Sequence, residues 1–452
     1  MTLVAAGRRY PGPTGAALLR SLWQLGRDRL GLMTSAARYG DAVRLGVGPR
    51  ALYFFNHPDH AKHVLADNSQ NYVKGLGLVH ARRALGDGLL TSEGELWRKQ
   101  RRVIQPVFQA KRIAGQAGAV AEEADRLLTR LRGRRGDGPV NLTDEFTALT
   151  LGVLGRTLLD ADLDAFTTVG EAFEEMQNQA MFEMASMSVL PMWVPLPQQL
   201  RFRRARRELE RIVERLVADR TTRGDVAEAD DALSRLIAST GDEADSRVAR
   251  QRMRDELVTL LLAGHETTAS TLGWTFHLVD RNPWVRRRLR EEAVEVLGDR
   301  LPEYADLGRL TYTKMVVSEA MRLYPPVWML SRRARDVDVV DGYPVPAGAD
   351  VLICPYTLHR HPAFWPEPER FDPGRFDPEV TTARPRYAYV PFGAGPRFCV
   401  GNHLGLMEAV FVVAMVSREF ELVASAGQQV IAEPMLSLRV RDGLSMTVRT
   451  IS

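Results

Sequence analysis

The sequence predicts a mainly α-helical protein with small peripheral β-sheets, folded as a single domain over residues 1–452. Helical periodicity dominates in 119–131, 202–220 and 247–281, and the last of these segments is long and ends at an Asn-Pro pair. Strand-like runs are short and few. No internal repeat and no long low-complexity linker divides the chain. We therefore expect one domain, with residues 1–10 as a flexible N-terminus.

The strand-like runs predict small sheets at the edges of the helical body. Six runs have the composition of strands: 42–47, 52–55, 337–340, 351–353, 435–438 and 444–448. The first two are expected to pair as a hairpin, and so are the last two. An Asp-Gly pair at 341–342 predicts a turn after the third run.

Composition limits the class of protein. The chain is 45% hydrophobic and 26% charged, which is typical of a globular protein with a large core. A net charge of +4 without a concentrated basic cluster argues against nucleic-acid binding. Two cysteines, Cys354 and Cys399, are too few for a disulfide scaffold and favour a reducing, cytoplasmic setting. We find neither a signal peptide nor an apolar run long enough for a membrane anchor near the start.

One ten-residue segment carries the clearest chemical signal. Residues 392–401 read Phe-Gly-Ala-Gly-Pro-Arg-Phe-Cys-Val-Gly and place Cys399 in a glycine-rich loop. Glycine adopts the positive φ angles that let backbone amides point back at a sulfur. A thiolate held in this way suits a soft, strongly bound metal, and haem iron is among the metals that thiolates ligate. Cys354 lies in an apolar strand-like run instead, and we expect it to be buried.

A second motif lies inside the longest predicted helix, where Ala263 to Thr268 read Ala-Gly-His-Glu-Thr-Thr between apolar runs. Polar groups in a buried helix need partners or a function. A zinc-protease motif fails because position 269 is alanine where a second histidine is required. A membrane-spanning helix is disfavoured by Glu266 at its centre. Two interpretations of Thr267 stay open: a functional hydroxyl, or a hydroxyl bonded back to the carbonyl of Ala263.

Two further motifs place charged residues on predicted helices. Glu319 and Arg322 are three residues apart, so they share a helical face and can pair. A later Pro-Glu-Arg-Phe segment contains Arg370. Trp97 and Arg101 lie one helical turn apart. Taken alone, each of these patterns is also compatible with an ordinary solvated surface.

Together these motifs resemble the cytochrome P450 family, whose cysteine loop has the pattern F-G-x-G-x-R-x-C-x-G. Every fixed position is met in residues 392–401, and the resemblance extends from Pro11 to the C-terminus. One departure is Gly405, where the family more often has alanine. The resemblance implies the cytochrome P450 fold, a haem b cofactor (iron protoporphyrin IX) and Cys399 as the thiolate ligand of its iron. The absence of an anchor and the excess of arginine over lysine fit a soluble, actinobacterial-like member.

The resemblance also implies which residues contact the haem. These are Trp97, Arg101, Ala263, Gly264, Arg332, Phe392, Gly393, Arg397, Cys399 and Gly401. The arginines would pair with the haem propionates, since a propionate prefers a charge-assisted partner. Arg333 stays open as an alternative to Arg332. Ala263 and Gly264 are small, which would let a flat cofactor approach the helix backbone.

Other residues receive catalytic and structural roles from the same resemblance. Glu266 would feed protons to bound dioxygen, and Thr267 would hydrogen-bond to dioxygen or to a water. Glu319, Arg322 and Arg370 would form a buried, salt-bridged network that supports the cysteine loop. The expected reaction is insertion of one atom of dioxygen into a mainly hydrophobic small molecule, such as a natural-product intermediate.

The electrons for this reaction are expected from separate proteins. The chain has no flavin or iron–sulfur signature, so a ferredoxin and a ferredoxin reductase are the expected donors. Arg98, Lys99 and Arg102 would dock an acidic partner, although a plain solvated face explains them equally well. The methionine-rich region 166–197 is expected to contribute to an apolar, adaptable pocket wall, with core packing as the alternative.

Two other functions stay open. One is a peroxide-driven haem peroxygenase, against which the intact Glu266-Thr267 pair argues, because activation of dioxygen needs proton delivery. The other is a non-catalytic haem-binding or sensor protein. Sequence alone does not choose among the reactions that one fold supports.

Overall fold

A computed structural model describes residues 8–47, 50–134, 136, 138–161, 169–186, 188–224, 231–240 and 246–450. The contacts between residues divide the chain into two compact units. The first unit comprises Met1–His80 and Met321–Cys399, and the second comprises Ala81–Ala320 and Val400–Ser452. The predicted class, mainly helical with small sheets, is confirmed. A single domain over the whole chain stays a prediction.

Helices make up most of the described chain. In order they are α1 (Gly15–Arg27), α2 (Arg29–Ala37), α3 (Pro58–Lys62), α4 (Leu76–Leu85), α5 (Gly94–Ile104), α6 (Ala110–Gly115), α7 (Ala117–Gly133), α8 (Leu142–Leu154), α9 (Val169–Ala185), α10 (Pro197–Arg223), α11 (Ala232–Thr240), α12 (Ser246–Asp280), α13 (Pro283–Leu297), α14 (Thr311–Leu323), α15 (Pro355–Leu358), α16 (Pro378–Thr381) and α17 (Asn402–Glu419). The three predicted helical segments correspond to α7, α10 and α12. Within the described ranges, no helix is long and apolar enough to cross a membrane.

The strands form small sheets within each unit. They are β1 (Ala42–Val47), β2 (Arg50–Phe55), β3 (Tyr72–Lys74), β4 (Val140–Asn141), β5 (Leu330–Ala334), β6 (Asp338–Val340), β7 (Tyr343–Val345), β8 (Asp350–Ile353), β9 (Phe420–Ala424), β10 (Ala432–Pro434), β11 (Leu438–Val440) and β12 (Ser445–Thr450). In the first unit, one sheet has the order β1-β2-β8-β5-β3, and β6 pairs with β7. The predicted N-terminal hairpin is confirmed as the antiparallel pair β1-β2.

The described part of the N-terminus contacts other residues of the first unit, and flexibility of residues 1–10 stays a prediction. The amide of Arg8 donates to the carbonyl of Gly342 (2.8 Å), and its guanidinium pairs with Asp341 (2.8 Å). Tyr10 packs edge-on against Tyr53, with ring centroids 5.1 Å apart. Residues 1–7 lie outside the described residues.

The core of the second unit surrounds α12. This helix packs against α8, where Phe146 and Phe276 stack with ring centroids 5.6 Å apart. It also packs against β11, because the indole of Trp274 donates to the carbonyl of Leu438 (2.8 Å). Apolar residues on several sides of α12 are thereby buried, which explains the long apolar runs in this part of the sequence.

The predicted hairpin between 435–438 and 444–448 is wrong. Residues 435–437 form a bend, and β11 pairs with β10. The strand β12 pairs instead with β9 and with β4. The residue pattern indicated strands correctly but carries no information on which distant strand each would pair with. The bend is important because it places Ser437 next to α12.

Candidate active site

The cysteine loop of the first unit is a tight turn built on two glycines. Gly393 and Gly395 have φ angles of +70° and +68°, in the left-handed region that favours glycine. A Cβ at Gly395 would lie 1.9 Å from the carbonyl oxygen of Leu65, so no larger residue fits there. The amide of Cys399 donates to the carbonyl of Phe392 (3.0 Å) and closes the loop. Its side chain is exposed and takes part in no disulfide, so the sulfur is accessible as a donor.

The second cysteine has the opposite environment. Cys354 is fully buried, as predicted, and its thiol donates to the carbonyl of Trp328 (3.1 Å). Burial raises the pKa of Cys354 to about 11, so it stays a neutral thiol at physiological pH. The two cysteines are therefore distinguished by exposure, and only Cys399 is accessible as a thiolate ligand.

Arg322 at the end of α14 is fully buried and holds three backbone carbonyls of the first unit. Its Nη1 donates to the carbonyls of Pro368 (2.7 Å) and His359 (3.0 Å). Its Nη2 donates to the carbonyl of Arg370 (3.1 Å). The planar guanidinium thus ties two separate chain segments together, which a point-charge side chain does less well. Glu319, on the same helix, is also fully buried.

His359 connects Arg322 to the cysteine loop. Its carbonyl accepts from Arg322, while its Nε2 accepts from the amide of Val390 (2.9 Å). The carbonyl of Val390 in turn accepts from the amide of Gly393 in the loop (3.0 Å). Burial, and then the nearby charge of Arg322, lower the pKa of His359 to about 3, so the ring is neutral. Since Nε2 accepts, the proton of the neutral ring sits on Nδ1.

The role expected of Arg370 is corrected by the structure. Its guanidinium is exposed and pairs with Glu367 (3.2 Å), so only its backbone carbonyl joins the network of Arg322. Arg375, which the sequence analysis missed, is half-buried and donates to the carbonyl of Glu367 (3.0 Å). The two arginines are five residues apart in similar sequence surroundings. The two arginines differ in burial, and the local sequence around them does not indicate this difference.

The structure separates Arg332 from Arg333. The guanidinium of Arg333 forms a two-pronged pair with Asp350 (3.1 and 2.8 Å). Arg332 points to the other face of β5 and is buried. Arg397 is half-buried in the cysteine loop, and its Nη1 donates to the carbonyl of Tyr72 (2.8 Å). The Nη1 of Arg332 donates to the carbonyl of Ser331 (2.9 Å), and its assignment to a propionate stays a prediction.

In the second unit, Trp97 and Arg101 lie together on α5, as predicted. Both are half-buried, one helical turn apart. The Nε of Arg101 donates to the side chain of Gln105 (3.1 Å). This arrangement leaves an aromatic ring and a guanidinium side by side on one helical face, which suits a carboxylate ligand.

The motif in α12 has one exposed small residue within a largely buried helix. Ala263 is exposed, whereas Leu260, Leu261 and Leu262 just before it are buried. Gly264 has another reason to be small, because a Cβ there would lie 2.5 Å from the side chain of Leu154 in α8. Helix packing therefore accounts for the small size of Gly264, and contact of Ala263 and Gly264 with a cofactor stays a prediction.

Thr267 adopts the back-bonded arrangement that the sequence analysis left open. Its hydroxyl donates to the carbonyl of Ala263 (2.8 Å). Two further threonines at four-residue steps make the same bond, from Thr271 to the carbonyl of Thr267 (2.8 Å) and from Thr275 to that of Thr271 (2.7 Å). A hydroxyl that donates in this way keeps its oxygen lone pairs available as acceptors.

Glu266 is half-buried in the second unit and accepts a hydrogen bond from the hydroxyl of Ser437 (2.6 Å). Burial raises the pKa of Glu266 to about 7. The hydrogen bond from Ser437, the charge of Arg439 and the side chain of Gln177 oppose that rise. The carboxyl group therefore changes protonation near neutral pH, as a proton-transfer group has to do.

Arg439 is the charged side chain that acts on the carboxyl group of Glu266, and His265 is its titratable neighbour in sequence. Arg439 of β11 pairs with Glu433 (2.8 Å) and with Glu174 (3.4 Å). Burial lowers the pKa of the neighbouring His265 to about 4, and its Nδ1 lies 2.7 Å from the carbonyl of Leu261. His265 is thus neutral, and Glu266 is the titrating group of the motif.

The methionine-rich region is less apolar than predicted. Met176 and Met181 are buried on α9, whereas residues 166–168 and Met187 lie outside the described residues. The same helix also buries polar side chains, which sequence periodicity did not indicate: Gln177, Gln179 and Glu183.

Comparison with known proteins agrees with this geometry. A family model described as Cytochrome P450 matches residues 10–446. The chain is similar to cyclooctatin synthase from Streptomyces melanosporofaciens, with 35% identity over 95% of this chain and 94% of that protein. It is also similar to pentalenene oxygenase from Streptomyces avermitilis, with 32% identity over 91% and 90% of the two chains. Carotene epsilon-monooxygenase from Arabidopsis thaliana is 32% identical over 91% and 80%.

Proposed function

The chain belongs to the cytochrome P450 family, and we propose that it oxidises a terpenoid natural product with electrons from a separate ferredoxin and ferredoxin reductase. It is a P450 monooxygenase, and its family binds iron protoporphyrin IX through a cysteine thiolate. The observation that carries the proposal is an accessible Cys399 on a loop that only glycines allow, in a chain whose relatives are named for terpenoids.

The residues present fit a haem. Cys399 supplies an exposed thiol of the soft donor type that haem iron accepts, in a loop closed by its own amide. In the first unit, Arg332 and Arg397 carry donors suited to a propionate. In the second unit, Trp97 and Arg101 do so as well. When bound, a thiolate-ligated haem activates dioxygen for insertion of one oxygen atom into the substrate.

The part of this chain in the reaction is proton supply and placement. Glu266 holds a proton at its carboxyl group below about pH 7 and is bonded to Ser437. Thr267 presents its hydroxyl oxygen one residue further along the same helix. We propose that Glu266 passes its proton from Oε toward the exposed face at Ala263. Thr267 would position the dioxygen or the water that accepts this proton. Of the two other functions left open, the peroxide-driven one needs no such pair.

Replacing Ser437 by alanine is expected to raise the pKa of Glu266 further. The hydroxyl donates to the carboxylate and so stabilises the ionised form, and its removal favours the protonated form. Proton donation requires the protonated acid, so activity falls as pH rises through the pKa. In Ser437→Ala, this fall is expected about one pH unit higher. The pH profile of product formed per electron consumed measures the shift.

The matched control for this prediction is Ser425→Ala. The hydroxyl of Ser425, which directly follows β9, pairs with that of Ser445 at the start of β12 (3.0 Å) in the same unit. This control should leave the pH profile in place. An unchanged profile in Ser437→Ala, or an equal shift in both variants, would show that Ser437 does not tune Glu266.

Replacing Thr267 by valine is expected to uncouple electron use from product formation. Valine keeps the shape of the side chain and removes the hydroxyl that positions the proton acceptor. We expect about tenfold less product per electron consumed, with the difference lost as peroxide or water. Thr271→Val removes an identical back-bond one turn further along α12 and should change coupling little. Equal losses in the two variants would mean that Thr267 only stabilises the helix.

The substrate class is tested by optical titration of the haem protein. The panel comprises cyclic sesquiterpenes, cyclic diterpenes and a carotenoid, with fatty acids and macrolides as comparison ligands. A low-spin to high-spin shift of the Soret band is expected with at least one terpenoid. A shift with fatty acids or macrolides alone would contradict the terpenoid assignment while leaving the family assignment intact.

The cysteine content supports the proposal of separate electron donors. Iron–sulfur clusters need four protein ligands, mostly cysteine thiolates, and this chain has only Cys354 and Cys399. On α5, Arg98 pairs with Glu95, while Lys99 and Arg102 are exposed. We propose that the exposed pair helps to dock an acidic ferredoxin in the cytoplasm. Reduction of the haem by ferredoxin should then slow as ionic strength rises.

A further inference from the structure

The connection between α4 and α5 is a loop without exposed residues. We name residues 86–92 the α4–α5 loop; they read Gly-Asp-Gly-Leu-Leu-Thr-Ser. The loop belongs to the second unit, together with α5, α10 and α12. None of its seven residues is exposed, although connections between helices usually run over the surface. The backbone polar groups of such a loop need partners within the protein.

Two neighbouring carboxylates of α12 supply partners for the backbone of this loop. Asp255 and Glu256 are each only 2% exposed. The Oδ2 of Asp255 accepts from the amide of Asp87 (2.8 Å), and the Oε2 of Glu256 accepts from the amide of Leu89 (3.1 Å). Buried carboxylates are costly unless they are paired and hydrogen-bonded, so this contact between α12 and the loop is a specific one.

The two glycines of the α4–α5 loop are required by the same contact. Gly86 has a φ angle of +78°, and a Cβ there would lie 2.3 Å from the carboxyl carbon of Asp255. A Cβ at Gly88 would lie 2.4 Å from the carbonyl oxygen of Asp255 and 2.0 Å from the hydroxyl oxygen of Thr259. The backbone of the loop therefore lies directly against α12.

The opposite side of the loop is bonded to α5. The Nε2 of the buried Gln100 donates to the carbonyl of Asp87 (2.6 Å), and its Oε1 accepts from the hydroxyl of Ser92. The backbone of Asp87 thus donates to Asp255 of α12 and accepts from Gln100 of α5. One residue of the loop links the two helices by consecutive hydrogen bonds.

Both oxygens of the Asp255 carboxylate are in use. The Oδ1 accepts from the Nε of Arg254 (2.9 Å), and Arg254 also pairs with Glu210 of α10 (2.6 Å). Burial raises the pKa of Asp255, while the amide of Asp87 and then the charge of Arg254 oppose that rise. The amide of the loop therefore stabilises the ionised carboxylate, and the carboxylate in turn holds the loop.

We propose that Asp255 is a positioning residue for the haem site, because through the α4–α5 loop it fixes α5 and with it Trp97 and Arg101. Gln100, which receives the link, directly precedes Arg101 on this helix. The inference rests on the proposed role of Arg101 at a haem propionate. Since α5 also packs against α11, loss of the link should weaken the placement of Arg101 without abolishing it.

The substitution Asp255→Asn tests this link. Asparagine keeps the shape of the side chain but replaces one acceptor oxygen by a donor, so it no longer offers an acceptor to both Arg254 and Asp87. Amide hydrogen exchange of residues 86–92, followed by mass spectrometry, should become about tenfold faster. Transfer of haem from the holoprotein to an excess of a haem-free globin should become about fivefold faster. The reduction potential of the haem should fall, because a displaced guanidinium no longer stabilises the more negative, reduced state.

A double-mutant cycle with Arg101→Gln separates positioning from a general loss of stability. Arg101→Gln alone should speed haem transfer about twentyfold, since it removes a charge-assisted hydrogen bond. If Asp255 acts through Arg101, adding Asp255→Asn to that variant should change the rate by less than about twofold. Gln100→Met breaks the same link from the side of α5 while keeping the size of the side chain. It should reproduce the effects of Asp255→Asn and serves as the test if that variant does not fold.

The matched control is Asp306→Asn. Asp306 is also buried in the second unit and accepts from a backbone amide, that of Glu303 (2.8 Å), and from the guanidinium of Arg300 (2.6 Å), all between α13 and α14. This variant should lose stability but keep the rate of haem transfer and the reduction potential.

Three results would overturn the proposal. Equal effects of Asp255→Asn and Asp306→Asn on haem transfer would show that Asp255 only stabilises the fold. Fully additive losses from Asp255→Asn and Arg101→Gln would show that Asp255 does not act through Arg101, and the proposed role of Arg101 would stand. If Arg101→Gln retained haem like the unsubstituted protein, the propionate role of Arg101 and this inference would fail together.

Discussion

Substituting Cys399 by serine is expected to abolish the thiolate-type absorption of the reduced, carbon monoxide-bound haem protein and to stop monooxygenase turnover. Serine keeps the size of the side chain but is not a soft thiolate donor, so the ligand that sets the reactivity of the iron is lost. Replacing even an outer partner of a metal ligand typically costs 10- to 100-fold, and the loss here should exceed about a hundredfold. Absorbance spectroscopy of the purified variant gives the result.

The buried second cysteine provides the control. Cys354→Ser keeps a hydrogen-bonding side chain opposite the carbonyl of Trp328 and leaves the cysteine loop intact. Its carbon monoxide spectrum should match that of the unsubstituted protein, with at most a modest loss of stability from the polar hydroxyl. A thiolate-type spectrum in Cys399→Ser would show that Cys399 is not the iron ligand. Loss of that spectrum in Cys354→Ser alone would contradict the assignment in the same way.

The features that sequence predicted well are those set by local geometry. The cysteine loop needs glycine at φ angles of +70° and +68°, so its glycines are visible in the sequence itself. The bounds of α12, Ser246–Asp280, were predicted as 247–281, because a long periodic pattern ends at an Asn-Pro stop. The Asp-Gly pair at 341–342 predicts a turn because these residues tolerate positive φ angles, and both have positive φ angles in the structure.

The features that sequence did not predict depend on partners far along the chain. Ser437 reaches Glu266 only because β11 pairs with β10 and the intervening bend turns toward α12. Gly264 is interpreted as room for a cofactor, and the sequence gives no sign of the close approach of Leu154. A glycine indicates that another group lies close to the backbone, but the sequence does not identify that group. The same limit applies to the environment that raises the pKa of Glu266, since burial is a property of the packed structure.

One physical factor, burial, separates residues that the sequence presents as equivalent. Arg370 and Arg375 lie in similar local surroundings, yet one guanidinium is exposed and the other half-buried. Cys354 and Cys399 differ in the same way, and burial alone leaves the first inert. Charged groups are costly to bury without partners, so a buried arginine implies a hydrogen-bonded network. Disrupting that network should lower the stability of the protein.

Substituting Arg322 by lysine is therefore expected to destabilise the folded protein by about 3–5 kcal/mol. Arg322 is fully buried and donates to the carbonyls of Pro368, His359 and Arg370. Lysine keeps the charge but cannot reproduce the planar fork, so buried carbonyls lose their donor at about 1–3 kcal/mol each. Urea unfolding of the haem-free and haem-loaded protein measures the loss.

The loss should reach the cysteine loop and should be absent when a neighbouring arginine is changed. Arg322 holds the carbonyl of His359, whose ring accepts from Val390, and Val390 in turn bonds Gly393 of the loop. Arg322→Lys is thus expected to weaken haem retention as well as folding. In contrast, Arg370→Lys alters only an exposed guanidinium and should stay within about 0.5 kcal/mol of the unsubstituted protein. Similar losses of stability in the two variants would show that the side chain of Arg370 does belong to the buried network. A stable Arg322→Lys protein that retains haem would show that the network does not support the loop.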